Sequence, residues 1–178
     1  HTEAPGFGTM GVTIVLPPGY QACTLPMPFV VLLDAQNQWT NRGSWGGWHT
    51  DTIMRNLVKA HRLKPVVLVG LNSPANRDRA YAPPPWGNAG KLADHIADHL
   101  IPQVRQRFNL ATDRNWIGIL GASFGGNFAL TAGLFRPDTF GLCAAFSSAP
   151  HAGEPGSTGC QPLEAMVASR ARLPMHKL

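Results

Sequence analysis

Short, continuous apolar runs recur along this chain, with polar or glycine-rich segments between them. Runs without polar alternation are typical of strands that are buried on both faces of a parallel sheet. Four runs have this pattern: residues 28–33, 65–71, 115–120 and 142–146. Residues 11–16 predict one further strand, which ends at the sequence Pro17-Pro18-Gly19.

Helical patterns lie between these runs. Asp51 is the predicted N-cap of a helix that ends near Lys59. Its predicted apolar face consists of Ile53, Met54, Leu57 and Val58. A longer helix carries an apolar residue at every fourth position, namely Leu92, Ile96, Leu100, Val104 and Phe108. Pro102 lies within this second helix and predicts a kink or a restart.

Residues 128–135 predict a third helix, which is apolar on all sides and therefore buried. Strands and helices thus alternate along the chain. This alternation predicts an α/β fold, a mostly parallel sheet with helices on both faces. The length of 178 residues is that of one domain, so residues 1–178 are expected to form a single unit.

Composition narrows the functional classes. Hydrophobic residues make up 44% of the chain and charged residues 14%, which excludes a disordered or coiled-coil protein. The net charge is +5, but the basic residues are scattered, so no nucleic-acid partner is expected. No apolar run is long enough to predict a membrane span. Three widely spaced cysteines suit neither a disulfide framework nor a zinc site.

The most informative motif is Gly121-Ala122-Ser123-Phe124-Gly125, between a predicted strand and a predicted helix. In this context G-x-S-x-G predicts a nucleophile elbow, a tight turn that exposes the serine. Ser123 is then the candidate nucleophile, and the N–H of Phe124 is the first candidate donor to the oxyanion. The alternative is a glycine- and serine-containing turn without a catalytic role.

Ligands of such sheets bind beyond the carboxyl ends of the strands. The sequence Asp34-Ala35-Gln36-Asn37 follows a predicted strand at this edge and is the expected source of the second oxyanion donor, or else a plain polar strand exit. Four tryptophans fall in loops expected at the same edge: Trp39, Trp45, Trp48 and Trp86. They either form the wall of a pocket for an aromatic or sugar-bearing ester or pack beneath the loops.

Several further motifs occur in a fixed order with the elbow. They are Leu16-Pro17-Pro18-Gly19-Tyr20, Val31-Leu32-Leu33-Asp34-Ala35-Gln36-Asn37, Arg77 with Tyr81-Ala82-Pro83, Leu100-Ile101-Pro102 and Gly121-Ala122-Ser123-Phe124-Gly125-Gly126. From about Val12 to Pro150 the chain resembles the putative-esterase branch of the α/β-hydrolases. That branch includes enterochelin esterase-like proteins, feruloyl esterases, esterase D-type hydrolases and mycolyltransferases.

The resemblance implies an α/β-hydrolase-type fold and a serine esterase that needs no cofactor. It implies Ser123 as the nucleophile and the backbone amides of Gln36 and Phe124 as the oxyanion hole. The family usually has glycine where this chain has Ala35, a change that is tolerated unless the position requires a positive φ. His95 and His99 have a spacing found in zinc sites, but without a third ligand no metal is expected.

The family's acid and histidine follow the nucleophile after two further strands. Here 55 residues follow Ser123, and residues 173–178 resemble the start of the next strand. We therefore expect the C-terminal strands, the acid and the base to be missing, and an exposed sheet edge that favours a homo-oligomer. His151 follows the strand that ends near Phe146 and is the one histidine expected near the site, as a candidate base or as a loop residue.

The sequence therefore favours a serine carboxylic-ester hydrolase that acts on a small-molecule ester through an acyl-enzyme on Ser123. Two alternatives remain open. One is an acyltransferase of the same fold, in which an alcohol accepts the acyl group. The other is a non-catalytic or inactive, truncated hydrolase-like module. The cellular compartment is left open.

Overall fold

The computed structural model describes residues 1–39 and 46–148, and its elements alternate as the sequence predicts. The strands are β1 (Thr2–Ala4), β2 (Gly8–Met10), β3 (Val12–Val15), β4 (Phe29–Leu33), β5 (Val67–Leu71), β6 (Ile117–Ala122) and β7 (Leu142–Phe146). The helices are α1 (Thr50–Lys59), α2 (Arg77–Tyr81), α3 (Ala89–His95), α4 (Ile101–Arg105) and α5 (Phe124–Phe135). A π-helical turn, Ile96–Leu100, joins α3 to α4, and short 3₁₀ turns occur at Tyr20–Ala22, Ala35–Asn37 and Arg114–Trp116.

Within the described residues, five strands form the central sheet in the order β3-β5-β4-β6-β7. β3 is antiparallel to β5, and the other three pairs are parallel. The prediction of a mostly parallel sheet with helices on both faces is confirmed. From β4 the chain moves to β5 on one side and then to β6 on the other, so a topological switch point lies between the carboxyl ends of β4 and β6. Such a crevice is the usual ligand-binding position in open α/β sheets.

The two faces of the sheet bury separate hydrophobic clusters. Along β4, Phe29 and Leu33 enter the larger cluster with residues of α2 to α5, whereas Leu32 enters a smaller cluster with Met54 and Val58 of α1. This alternation follows from the period of two in a strand, which places successive side chains on opposite faces. Full burial of each large apolar side chain contributes roughly 1.5–3 kcal/mol. A strand covered on both faces must therefore be apolar throughout.

The first helix differs from its prediction at the N-terminus. α1 begins at Thr50, and its N-cap is His49, which has a left-handed conformation (φ 51°, ψ 35°). Asp51 is thus not the cap, although as an acidic residue in the first turn it still interacts favourably with the helix dipole. Met54 and Val58 are buried, but Ile53 is 53% exposed, so the buried face is narrower than predicted.

The long helix is interrupted where Pro102 predicts a break. The N–H of Ile101 donates to the carbonyl of Ile96, a π-type bond that closes the turn between α3 and α4. Proline lacks an N–H, and its ring crowds the carbonyl four residues earlier, so a local widening of the helix accommodates it. Leu92, Ile96, Leu100 and Val104 remain buried through the interruption.

Two elements are absent from the sequence prediction. A short hairpin of β1 and β2 precedes the sheet; Gly6 in its turn and Gly8 at the start of β2 have positive φ. Helix α2 lies within the segment predicted as a loop over residues 72–90. Within the described ranges, none of the helices is both long enough and apolar enough to cross a membrane.

The predicted strand that begins near residue 173 lies outside the described residues. Among those described, β7 pairs with β6 only and forms one edge of the sheet. Leu142 and Phe146 of β7 are each more than half exposed. Association through this edge remains a prediction.

Candidate active site

Ser123 lies in the sharp turn between β6 and α5 that the sequence predicts. It is exposed, and its backbone has φ 52° and ψ −121°, a combination that residues with a Cβ rarely adopt. Such a conformation costs roughly 1–3 kcal/mol and persists only where neighbouring bonds enforce it. Here the Ser123 N–H donates to the carbonyl of Phe146 in β7 (2.8 Å), and the Ser123 carbonyl accepts from the N–H of Asn127 (3.1 Å).

The glycines of the motif are required by close approach. A Cβ at Gly121 would collide with the carbonyl oxygen of Gly125, and a Cβ at Gly125 would lie 2.6 Å from Oδ2 of Asp34. At Gly126 a Cβ would lie 3.2 Å from the Cβ of Ala145. The elbow therefore packs at once against its own helix, against β7 and against the turn that follows β4.

The N–H of Phe124 is the first of α5 and has no partner within the helix. The positive end of the helix dipole lies at the same place, which favours a developing negative charge. The Phe124 side chain is 6% exposed and belongs to the larger cluster, so its backbone position is well fixed.

The turn after β4 lies beside the elbow, because β4 and β6 are neighbours. Asp34 has a left-handed backbone (φ 53°, ψ 45°), and a 3₁₀ turn, Ala35–Asn37, follows. The first bonds of this turn are donated by the N–H groups of Asn37 and Gln38, to the carbonyls of Asp34 and Ala35. The N–H of Gln36 precedes those donors and has no partner within the turn.

Ala35 is tolerated in this turn. The positive φ falls on Asp34, and Ala35 is not among the positive-φ residues. Its side chain is fully buried, and a Cβ added at Gly70 would lie 2.8 Å from that of Ala35. Gly70 supplies the space for Ala35 on the neighbouring strand.

Four donor contacts converge on the carboxylate of Asp34. Oδ1 accepts from Ser73 Oγ (2.5 Å), Arg77 Nε (3.0 Å) and the Tyr81 hydroxyl (3.0 Å), and Oδ2 accepts from Arg77 Nη2 (2.8 Å). The hydrogen bond from Arg77 to Asp34 raises the pKa of the arginine. Burial, together with the Asp34 charge, raises the pKa of Tyr81 well above its usual value, so the phenol remains a donor. We name these four residues the Asp34 clamp.

The sequence indicates part of the Asp34 clamp but not its role. Arg77 and Tyr81 belong to the ordered motifs, whereas Ser73 lies in a predicted loop with no distinguishing pattern. Ser73 also bonds to the side chain of Gln36, which donates from Nε2 to Ser73 Oγ (2.6 Å) and accepts at Oε1 from the Ser73 N–H (3.1 Å).

Three of these tryptophans lie in different environments, and Trp45 lies outside the described residues. Trp39 packs in the smaller cluster, against Gly70, and Trp86 packs on the larger one. These positions favour the packing interpretation for both. Trp48 is 41% exposed and contacts the ring of Phe146 edge-to-face at 5.9 Å between centroids. Since the Phe146 carbonyl accepts from Ser123, Trp48 is the tryptophan of this group that is tied to the elbow.

The candidate base is not located, because His151 lies outside the described residues. His95 is buried on α3, where Nε2 contacts Oγ1 of Thr2 at 2.9 Å and the ring stacks on His99 at 5.3 Å. In the part of the chain that the structure describes, no group of three His, Cys, Asp or Glu side chains is placed to hold a metal ion.

Comparison with known proteins places the chain in a family. The family model described as Putative esterase matches residues 7–168. The iron(III) salmochelin esterase of Escherichia coli is 30% identical over 124 residues, which are 68% of this chain and 28% of that protein. The uncharacterized protein YbbA of Bacillus subtilis is 26% identical over 154 residues, 79% of this chain and 57% of that protein.

The fold agrees with solved structures of this kind. The enterobactin esterase of Shigella flexneri superimposes with a TM-score of 0.72 at 22% identity, over 90% of this chain and 38% of that one. The chain therefore spans between about a quarter and three fifths of the length of these relatives. The chain has the α/β-hydrolase fold of these esterases. This chain belongs to the putative esterase family.

Proposed function

We propose that this protein is a serine carboxylic-ester hydrolase with Ser123 as its nucleophile. One observation carries the proposal: an exposed serine in a strained strand-to-helix turn, at the switch point of the sheet. A strained backbone that exposes a hydroxyl at the ligand-binding edge has no evident benefit for folding. The family supports ester hydrolysis, and the related salmochelin protein is named as an esterase.

In the proposed reaction the Ser123 Oγ attacks the ester carbonyl carbon and forms a tetrahedral intermediate. The N–H groups of Gln36 and Phe124 stabilise its oxyanion, and each such donor lowers the barrier by roughly 2.7–4 kcal/mol. The C–O bond to the alcohol then breaks, which leaves an acyl group on Ser123. Water then attacks the acyl carbon, the bond from this carbon to Ser123 Oγ breaks, and the acid is released as the serine hydroxyl regains its proton.

A serine hydroxyl needs a base that accepts its proton. His151 is our candidate, since it follows β7 and the carboxyl ends of β6 and β7 lie at the same edge. The same group would return the proton to the leaving alcohol. Removal of such a base typically lowers the rate by several orders of magnitude, so His151→Ala tests the assignment directly.

The surface beside the elbow is suited to an apolar part of the ester. Trp48 and Phe146 are both partly exposed and in contact, next to the strand end that holds Ser123. Exposed aromatic rings at a ligand-binding edge offer large contact area at low entropic cost. We therefore propose that these two rings bind the apolar group of the substrate. We assign Trp39 and Trp86 a role in packing only.

Reaction with a fluorophosphonate probe, followed by intact mass, tests the nucleophile. We expect one adduct on the wild-type protein and none on Ser123→Ala. Ser147→Ala is the matched control, because Ser147 is also exposed, has a positive φ (45°) and follows the neighbouring strand. Equal labelling of Ser123→Ala would refute the assignment. A wild-type protein that is neither labelled nor active on a p-nitrophenyl ester would favour the non-catalytic module.

A further inference from the structure

The Asp34 clamp contacts both residues that carry the donors of the proposed oxyanion hole, Gln36 and Phe124. On one side, Ser73 Oγ donates to Asp34 and accepts from the Gln36 side chain, so one hydroxyl holds two residues of the turn. Asp34 itself has a left-handed backbone, which is unfavourable for a residue with a Cβ unless its side chain is held. The position of the Gln36 N–H therefore depends on these bonds.

On the other side, the Asp34 clamp meets the elbow. Oδ2 of Asp34 lies in the space that a Cβ at Gly125 would occupy. The Arg77 guanidinium lies over the Phe124 ring at 5.6 Å, and Tyr81 contacts the same ring edge-to-face at 6.1 Å. Phe124 and Gly125 are the first two residues of α5. The backbone that carries the Phe124 N–H is thus packed against the same carboxylate and its partners.

The charges of the Asp34 clamp are balanced within it. The Asp34 side chain is 10% exposed and that of Arg77 is 33% exposed, and the guanidinium approaches both carboxylate oxygens. A two-point contact of this kind fixes orientation as well as distance, which a lysine does not reproduce. The pair is built to hold one geometry.

We propose that Ser73, Arg77 and Tyr81 are positioning residues for the oxyanion hole, which act by holding the Asp34 carboxylate between the turn that carries Gln36 and the elbow that carries Phe124. This inference rests on the proposed function. The positioning residues do not touch the reacting atoms. Their effect is to keep two backbone N–H groups, on neighbouring strands, aimed at one point.

The test compares labelling rates and steady-state kinetics across variants of the full chain. In Ser73→Ala, and in the double variant Asp34→Asn with Arg77→Met, we expect the fluorophosphonate rate constant and kcat to fall by about 10- to 100-fold, with KM unchanged. The double variant avoids an unpaired buried charge. The single variant Arg77→Lys should lose less activity than the double variant but should not reach the wild-type rate, whereas a role based on charge alone predicts the wild-type rate.

Arg136→Met is the matched control, because Arg136 also pairs with several carboxylates but lies at the far end of α5. It should leave both rates unchanged. Hydrogen exchange is read in parallel: the peptide that spans residues 34–38 should exchange faster in the variants of the Asp34 clamp, while the α1 peptide stays as in the wild type.

Three results would overturn the inference while the proposed function stands. They are wild-type labelling rates in Ser73→Ala and the double variant, a rise in KM at constant kcat, and losses that follow the fall in Tm across all variants, Arg136→Met included. A rise in KM at constant kcat in the double variant would mean that Arg77 contacts the substrate itself. If the wild-type Ser123 is not labelled at all, the proposed function fails and the inference fails with it.

Discussion

Gly125→Ala is expected to impair catalysis more than stability. Position 125 has ordinary helical dihedrals, so alanine brings no backbone strain, and it gains roughly 0.4–1 kcal/mol from a more restricted unfolded chain. The new Cβ opposes this gain by crowding Asp34. It lies 2.6 Å from Oδ2 of Asp34, about 0.8 Å closer than the distance at which ordinary contact begins.

The carboxylate has little freedom to retreat, since Arg77 Nη2 holds the same oxygen at 2.8 Å. Overpacking of a fixed neighbour costs about 1–3 kcal/mol, so the crowding outweighs the gain and the net loss is about 1–2 kcal/mol. For a domain of this size each kcal/mol lowers Tm by about 2–4 °C. A shift of nearly 1 Å in the turn that carries Gln36 costs about 100-fold in rate.

The assay pairs Gly125→Ala with Gly126→Ala. At Gly126 the new Cβ lies 3.2 Å from both the Cβ of Ala145 in β7 and the carbonyl oxygen of Gly121, so these contacts must relax by only a few tenths of an ångström. We expect Gly126→Ala to keep its fluorophosphonate labelling rate within a few-fold of the wild type. The reasoning is refuted if both variants lose equal activity, or if Gly125→Ala labels at the wild-type rate.

Three further predictions concern stability. Phe128→Ala should lower the free energy of unfolding by about 3–5 kcal/mol in urea titration, because the ring is fully buried and stacks on Tyr81 at 4.9 Å; a loss below about 1 kcal/mol would contradict this. Arg136→Met should cost about 1 kcal/mol or less, since its carboxylate partners are more than half exposed, and the loss should shrink in high salt; a loss independent of salt would argue against ion pairing. Burial, followed by the charge of His99, lowers the pKa of His95 below its usual value of 6.5, so the folded state disfavours the charged ring. The contribution of the neutral His95 ring to stability is therefore complete above pH 6.5 and is lost as the pH falls below that value. The fall in Tm between about pH 7 and pH 5 should therefore be smaller in His95→Gln, and an equal fall would exclude His95 as its source.

The sequence alone specified the elements that depend on local pattern. Continuous apolar runs predicted β4 to β7, because a strand covered on both faces leaves no position for a polar side chain. Pro102 marked the interruption of the long helix, since a proline affects the turn in which it stands. The turn of Ser123 followed from glycines at 121 and 125, which allow the close approach seen between β6 and α5.

Tertiary structure decided what lies far apart along the chain. Ser73, Arg77 and Tyr81 stand 39, 43 and 47 residues from Asp34, and no local pattern links them. They meet because β4 and β5 are parallel neighbours, so the residues that follow each strand reach the same edge. The sequence supplied the donors and the acceptor, but the strand order brought them together.

The environments of Trp39 and Trp48 and the N-cap of α1 also depend on tertiary structure. Trp39 and Trp48 occur in one loop with similar surroundings in sequence, yet one packs against Gly70 and the other is exposed beside Phe146. His49, not Asp51, is the N-cap residue of α1, and its backbone there is left-handed. Burial and chain direction depend on which surfaces come into contact, a property of the assembled sheet and helices that local sequence does not contain.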